Sequence, residues 1–213
     1  MKSLLCFGDS NTHGTVPMQS RDKVLRFDFK QRWPGIVQEL LGPNWWVIEE
    51  GLPGRTTSFD DPEEGKDRNA LRYWQACLQS HRPVDVIVIM LGTNDLKAKF
   101  NANPDLISIG LNTLIDIAWQ NTPPGLEHPH IIVVTPTPIK EIGLFSELFA
   151  GGEKKSHQLA KAYSVLESKP KVRVINASSY CEVSSIDGIH LDVISHTQLG
   201  IALANEIQKI TIY

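Results

Sequence analysis

Cysteine is scarce and unpaired in this sequence. Cys6, Cys77 and Cys181 are odd in number, widely spaced and free of any CxxC pair, which excludes a disulfide framework and predicts reduced thiols in a cytoplasmic protein. Long apolar runs are absent as well. The run at 86–91 falls far short of a bilayer span, and the N-terminal run 4–7 is too short for a signal-peptide core. An excess of one charge is also missing: 21 basic side chains face 24 acidic ones, for a net charge of -3, and no Lys/Arg-rich stretch stands out. Nucleic acid and membrane are therefore excluded as expected partners. No repeat, low-complexity tract or linker divides the 213 residues, so one domain, 1–213, is expected.

What is present is an alternation of apolar blocks and helical patterns. Residues 3–7, 84–91, 130–135 and 172–175, with a weaker fifth block at 45–48, are short and do not alternate apolar with polar. Such blocks predict strands buried on both faces, hence a parallel sheet. Helical periodicity marks 32–41, 69–79, 103–120, 153–169 and 195–207. Pro34 suits a first turn, Asn103 and Pro104 read as N-cap and first helical residue, and Ser195 with Gln198 has capping-box spacing. The expected fold is a three-layer α/β/α sandwich around a parallel sheet of about five strands. Ligands in such sheets bind beyond the carboxyl ends of the strands, so the turns after strands are where chemistry is sought.

Four turns carry suggestive residues: Gly8-Asp9-Ser10-Asn11, Gly51-Leu52-Pro53-Gly54-Arg55-Thr56, Gly92-Thr93-Asn94-Asp95 and Asp187-Gly188-Ile189-His190. Each alone is an ordinary turn composition. Together they supply the parts of acyl transfer: a nucleophile (Ser10), a base (His190), a group to orient the base (Asp187), and oxyanion donors in the backbone N–H groups of Ser10 and Gly54 and the side-chain amide of Asn94. A strand order of 2-1-3-4-5 would bring the first three turns to one crevice.

These blocks, in this order and over nearly the whole chain, resemble the GDSL-type SGNH hydrolases, and FGDSNTHGTVP followed by EEGLPGRTT is most similar to the bacterial arylesterase and acyltransferase branch. The resemblance implies a serine esterase acting on short-chain esters through an acyl-enzyme, with acyl transfer to alcohols as a second outcome. It implies no cofactor and no metal, a small-molecule ester as partner, and a homo-oligomer. Deacetylation of acetylated carbohydrates on the same triad is the alternative. Substrate contacts are expected from His13, from Ile142 and Phe145, and from Ile189.

Asp9 and Asp95 are read as braces of their own turns. His128, His130 and His196 lack partners at ligand spacing and are read as ordinary polar residues. The apolar stretch 139–149 is either a short core helix or a flap over the acyl pocket or subunit contact. The five tryptophans are read as packing. Two rivals remain: a metal-dependent phosphoesterase with Asp9 as nucleophile, weakened by Asn11 at the second carboxylate position, and a non-catalytic binding module.

Overall fold

The structure is a computed structural model in which residues 1–210 are described. Its strands are β1 (Lys2–Gly8), β2 (Trp45–Gly51), β3 (Val86–Met90), β4 (His130–Thr135) and β5 (Val172–Asn176), and its helices α1 (Ser10–His13), α2 (Trp33–Leu41), α3 (Ala70–His81), α4 (Pro104–Gln120), α5 (Gly152–Ser156), α6 (Leu159–Tyr163) and α7 (Val193–Gln208). All strand pairs are parallel, in the order β2-β1-β3-β4-β5.

The unbroken apolar blocks are explained by cover on both faces. Leu5, Phe7, Ile87, Ile89, Ile131 and Val133 point to one side, against Trp74 of α3, Ile107 and Leu111 of α4, and Tyr163 of α6. Leu4, Cys6, Val88, Met90, Ile132 and Val134 point to the other, against Trp33 and Val37 of α2 and Leu199 and Leu203 of α7. Each such side chain contributes about 1.5–3 kcal/mol relative to exposure, so neither helical layer is dispensable. All three cysteines are free and buried in this scaffold. No described helix is long and apolar enough to cross a membrane.

Several helix boundaries depart from expectation. The pattern at 153–169 is broken into α5, α6 and a 3-10 turn over Ser164–Ser168. Ser156 ends α5: its hydroxyl donates to the Glu153 carbonyl at 2.6 Å and accepts from the Ile139 N–H at 3.1 Å. Tyr163 ends α6, its hydroxyl donating to the Leu91 carbonyl at 3.1 Å. At α7 the cap is Asp192 rather than Ser195, since its carboxylate accepts from the Ser195 N–H at 2.8 Å while the Ser195 hydroxyl donates to the Glu182 carbonyl. Pro34 does sit in the first turn of α2, and Asn103 caps α4. The weakest predicted strand, 45–48, extends to Gly51 and lies along the whole of β1.

Register decides where the turns emerge. Gly8 pairs with both Gly51 and Met90, so β1, β2 and β3 end level and release their turns at one edge. Gly8 is required there, because a Cβ would meet the Met90 carbonyl oxygen at 2.7 Å and the Thr12 side chain closer still.

Candidate active site

Ser10 opens α1. Asp9 caps that turn by accepting from the Asn11 N–H at 2.9 Å, and Gly14 closes it in the left-handed region, at φ 83°. A short helix pinned at both ends holds the serine rigidly beyond β1.

His190 arrives from the far end of the sequence and meets it. Its Nε2 lies 3.1 Å from Ser10 Oγ, and its Nδ1 lies 2.6 Å from Asp187 Oδ2. All three side chains are buried. Asp187 is saturated with donors: Oδ1 accepts from the Ile189 and His190 N–H groups, and Oδ2 from the Met18 N–H at 2.7 Å. Burial pushes this carboxyl up, but the His190 and backbone donors outweigh it and hold it below its ordinary value. The carboxylate is therefore ionised and aimed at Nδ1, which leaves Nε2 facing the hydroxyl as an acceptor.

Asn94 is buried at the end of β3. Its Nδ2 donates to the Arg55 carbonyl at 3.1 Å and lies 3.4 Å from Asp9 Oδ2, a longer and weaker contact. Gly54 borders the same cavity with φ +81°, which only glycine adopts without strain. Neither the Ser10 nor the Gly54 N–H donates to a protein acceptor among the described residues.

Ser10, Gly54, Asn94 and His190 border one cavity of about 320 Å³, walled in part by Phe145 and Ile189. The Phe145 ring stands edge-on to the imidazole, with centroids 5.7 Å apart. Two of the expected substrate contacts, His13 and Ile142, are not among the residues that border this cavity. His13 does not border the cavity: its ring is drawn to Thr15 Oγ1 at 3.1 Å, and its backbone packs where a Cβ of Gly51 would stand. Ile142 is partly exposed and lies against Gly188 instead. The stretch 139–149 is no core helix. Ile139 and Phe149 are anchored in the core, a 3-10 turn spans Gly143–Phe145, and Phe145 and Leu148 reach the cavity wall.

Asp9 and Asp95 lie behind the cavity. Asp95 accepts from the Thr57 N–H and hydroxyl, and burial raises both carboxyls to about 6. Ser10, and not Asp9, faces the cavity, which removes the geometry that the phosphoesterase rival needs. His196 is fully buried with Nδ1 accepting from the Trp33 N–H, and burial lowers it to about 4. His128 is held by Thr122. Among the described residues Glu50, Cys77 and His81 bring potential ligand atoms within 4.8 Å, but His81 Nε2 is bonded to Glu50 at 2.8 Å and burial raises the Cys77 thiol to about 12.

Sequence reasoning missed two positioning residues. Arg55 is buried with its guanidinium 4.1 Å over the Phe7 ring, donating to the Gly8 carbonyl at 2.8 Å and to that of Glu50, so it ties the β1 and β2 ends together. Asn11 clamps the histidine loop: Nδ2 donates to the Ile189 carbonyl at 3.1 Å and Oδ1 accepts from the Leu191 N–H at 2.9 Å, on either side of His190. Both residues stood in the motif turns, but nothing local revealed a partner 178 residues away. Asn11→Ala is expected to cost about 1–3 kcal/mol for each group it orphans, read from urea unfolding. It should also lower kcat by up to about 10²-fold as His190 loses its alignment.

A buried serine, imidazole and carboxylate in hydrogen-bonded series at the carboxyl edge of an open parallel sheet place the chain among the α/β serine hydrolases. It matches the GDSL-like Lipase/Acylhydrolase family over residues 6–194. Among solved structures it is similar to the M. smegmatis aryl esterase, with 38% identity over 99% of this chain and 100% of that one and a TM-score of 0.93. It is also similar to a carbohydrate acetylesterase from Sinorhizobium meliloti, with 37% identity over 98% and 99% and a TM-score of 0.92. No curated protein matched. The chain belongs to the GDSL-like lipase/acylhydrolase family, and it is a carboxylic ester hydrolase of the SGNH type.

Proposed function

We propose that the chain is one catalytic domain in which Ser10 is the nucleophile, His190 the general base and then acid, and Asp187 the group that orients it. The Ser10 and Gly54 N–H groups and Asn94 Nδ2 serve as oxyanion donors. The observation that carries this reading is the 3.1 Å approach of His190 Nε2 to Ser10 Oγ, with Asp187 2.6 Å behind the ring. Ser10 Oγ bonds to the ester carbonyl carbon while Nε2 takes the hydroxyl proton. The tetrahedral oxyanion rests among the three donors, then collapses as Nε2 returns the proton to the departing alcohol. Water, activated by the same nitrogen, releases the acid from acyl-Ser10, and an alcohol in its place completes acyl transfer.

The substrates are short-chain esters, acetyl to butyryl. The apolar wall formed by Phe145, Leu148 and Phe149 supports that limit. Acetylated carbohydrates are a second reading, favoured by the likeness to the Sinorhizobium meliloti acetylesterase. Exposed Val24, Leu25 and Phe29 support a homo-oligomer, and three free thiols support a cytoplasmic location.

A fluorophosphonate probe is expected to label Ser10, mapped by mass spectrometry. In an ester panel of graded chain length, each CH2 that fits adds about 0.8 kcal/mol of burial, so kcat/KM rises to butyryl and then falls. Absence of label at Ser10 overturns the assignment of the nucleophile. A rate still climbing at octanoyl overturns the short-acyl reading.

A further inference from the structure

The cavity beside Ser10 has a charge the chain as a whole does not share. The protein carries a net charge of -3, yet the charged side chains lining this cavity are Arg21, Arg68, Lys97 and only one carboxylate, Glu64. That carboxylate is already committed. Lys97 Nζ lies 2.7 Å from Glu64 and 3.2 Å from Asp61, so the buried lysine is neutralised on the spot. Arg21 is not, and Arg68 is only partly so.

Arg68 has its one ion pair with Asp67, the adjacent residue, whose side chain is 68% exposed. Water screens such a pair strongly. Its Nε is buried and has no hydrogen-bond partner among the described residues, an unusual condition for a donor inside a protein. This nitrogen lies 3.4 Å from where a Cβ of Gly54 would stand, a position that Glu64 Oε2 approaches more closely, at 2.2 Å. Arg21 has no ion pair among the described residues. Its guanidinium lies 5.7 Å over the Phe145 ring, whose centroid is in turn 5.7 Å from that of His190. One guanidinium thus flanks the oxyanion side and the other the imidazole side. Met18, Leu148, Phe149 and Ile189 supply an apolar bed for the carbon skeleton between them.

A neutral short ester offers these donors no counter-charge. A planar anion would use them well, because guanidinium groups bind carboxylates through paired, charge-assisted hydrogen bonds. We propose that the cavity selects esters bearing a carboxylate, and that Arg21 and Arg68 are the residues that recognise it. The inference rests on the reading of Ser10 as nucleophile and adds the chemical class of its substrate.

The test compares two esters that differ only in charge: 3-carboxyphenyl acetate and its neutral amide, 3-carbamoylphenyl acetate. A second arm places the charge on the acyl side, with monophenyl glutarate and its monoamide. In the arm that matches the site, kcat/KM for the carboxylate should exceed that for the amide by on the order of tenfold at low ionic strength, and the ratio should shrink as salt is added. Arg68→Gln and Arg21→Gln should each lower that ratio, and the double variant should bring it to about one. Because the ratio is taken within each variant, a general loss of activity or stability cancels. Arg21 is exposed, so its variant keeps the fold in any case. Ratios at or below one in both arms, or a preference that survives the double substitution, overturn the inference while leaving the esterase intact. If neither member of either pair is hydrolysed, the serine-esterase reading itself fails and takes this inference with it.

Discussion

Ser10→Ala is expected to lower kcat by on the order of 10⁵- to 10⁶-fold while leaving the protein folded. The hydroxyl has a single side-chain partner, His190 Nε2 at 3.1 Å. Removing it deletes the atom proposed to form the acyl bond and shifts stability by only about 1 kcal/mol, the net worth of one hydrogen bond. The substitution leaves the oxyanion donors in place, so a residual rate above the uncatalysed one is expected from binding and charge stabilisation alone. The check is steady-state kinetics on an acetyl ester beside a thermal melt, with fluorophosphonate labelling as a second readout. A variant within about 10²-fold of the parent would place the nucleophile elsewhere, since no oxyanion contribution compensates for losing a covalent intermediate.

The expectation can be this specific because the site was largely legible in the sequence, for a physical reason. Non-alternating blocks at 3–7, 84–91 and 130–135 reported burial on both faces. Burial on both faces implied a parallel sheet, and a parallel sheet has one chemically useful edge. The turns at Ser10, Gly54, Asn94 and His190 all lie at that edge, and strand register gathers the first three. What failed was chosen by tertiary partners that no local pattern encodes. Ser195 has capping-box spacing from Gln198, yet Asp192 sits three residues earlier with a better acceptor. The periodicity at 153–169 is genuine, but Ser156 and Tyr163 form bonds to Ile139 and Leu91 that a continuous helix could not reach. Asn11 and Arg55 stood in the quoted turns, and only the folded chain shows whose carbonyls they hold.

Asp187→Asn should be nearly as damaging, with a loss in kcat of about 10⁴-fold, although the side chain scarcely changes shape. Asp187 accepts four hydrogen bonds, two on each oxygen, from the N–H groups of Met18, Ile189 and His190 and from His190 Nδ1. An asparagine can keep one pair, because its oxygen can still face the Ile189 and His190 N–H groups. Its NH2 must then face the Met18 N–H and Nδ1, setting donor against donor at one and forcing the other to accept. The imidazole proton moves to Nε2, where it points at Ser10 and can no longer receive the hydroxyl proton. The pH dependence follows the same carboxylate. Its folded pKa is depressed, so it stabilises the fold above the ordinary aspartate range of about 4 and loses that contribution only as pH falls through the lower folded value. Urea midpoints of the parent and the asparagine variant should therefore stay a fixed distance apart above about pH 4 and converge as pH drops below it. Activity should remain low in the variant across the whole range. A variant that recovers full kcat at high pH would show that Asp187 does not select the tautomer of His190.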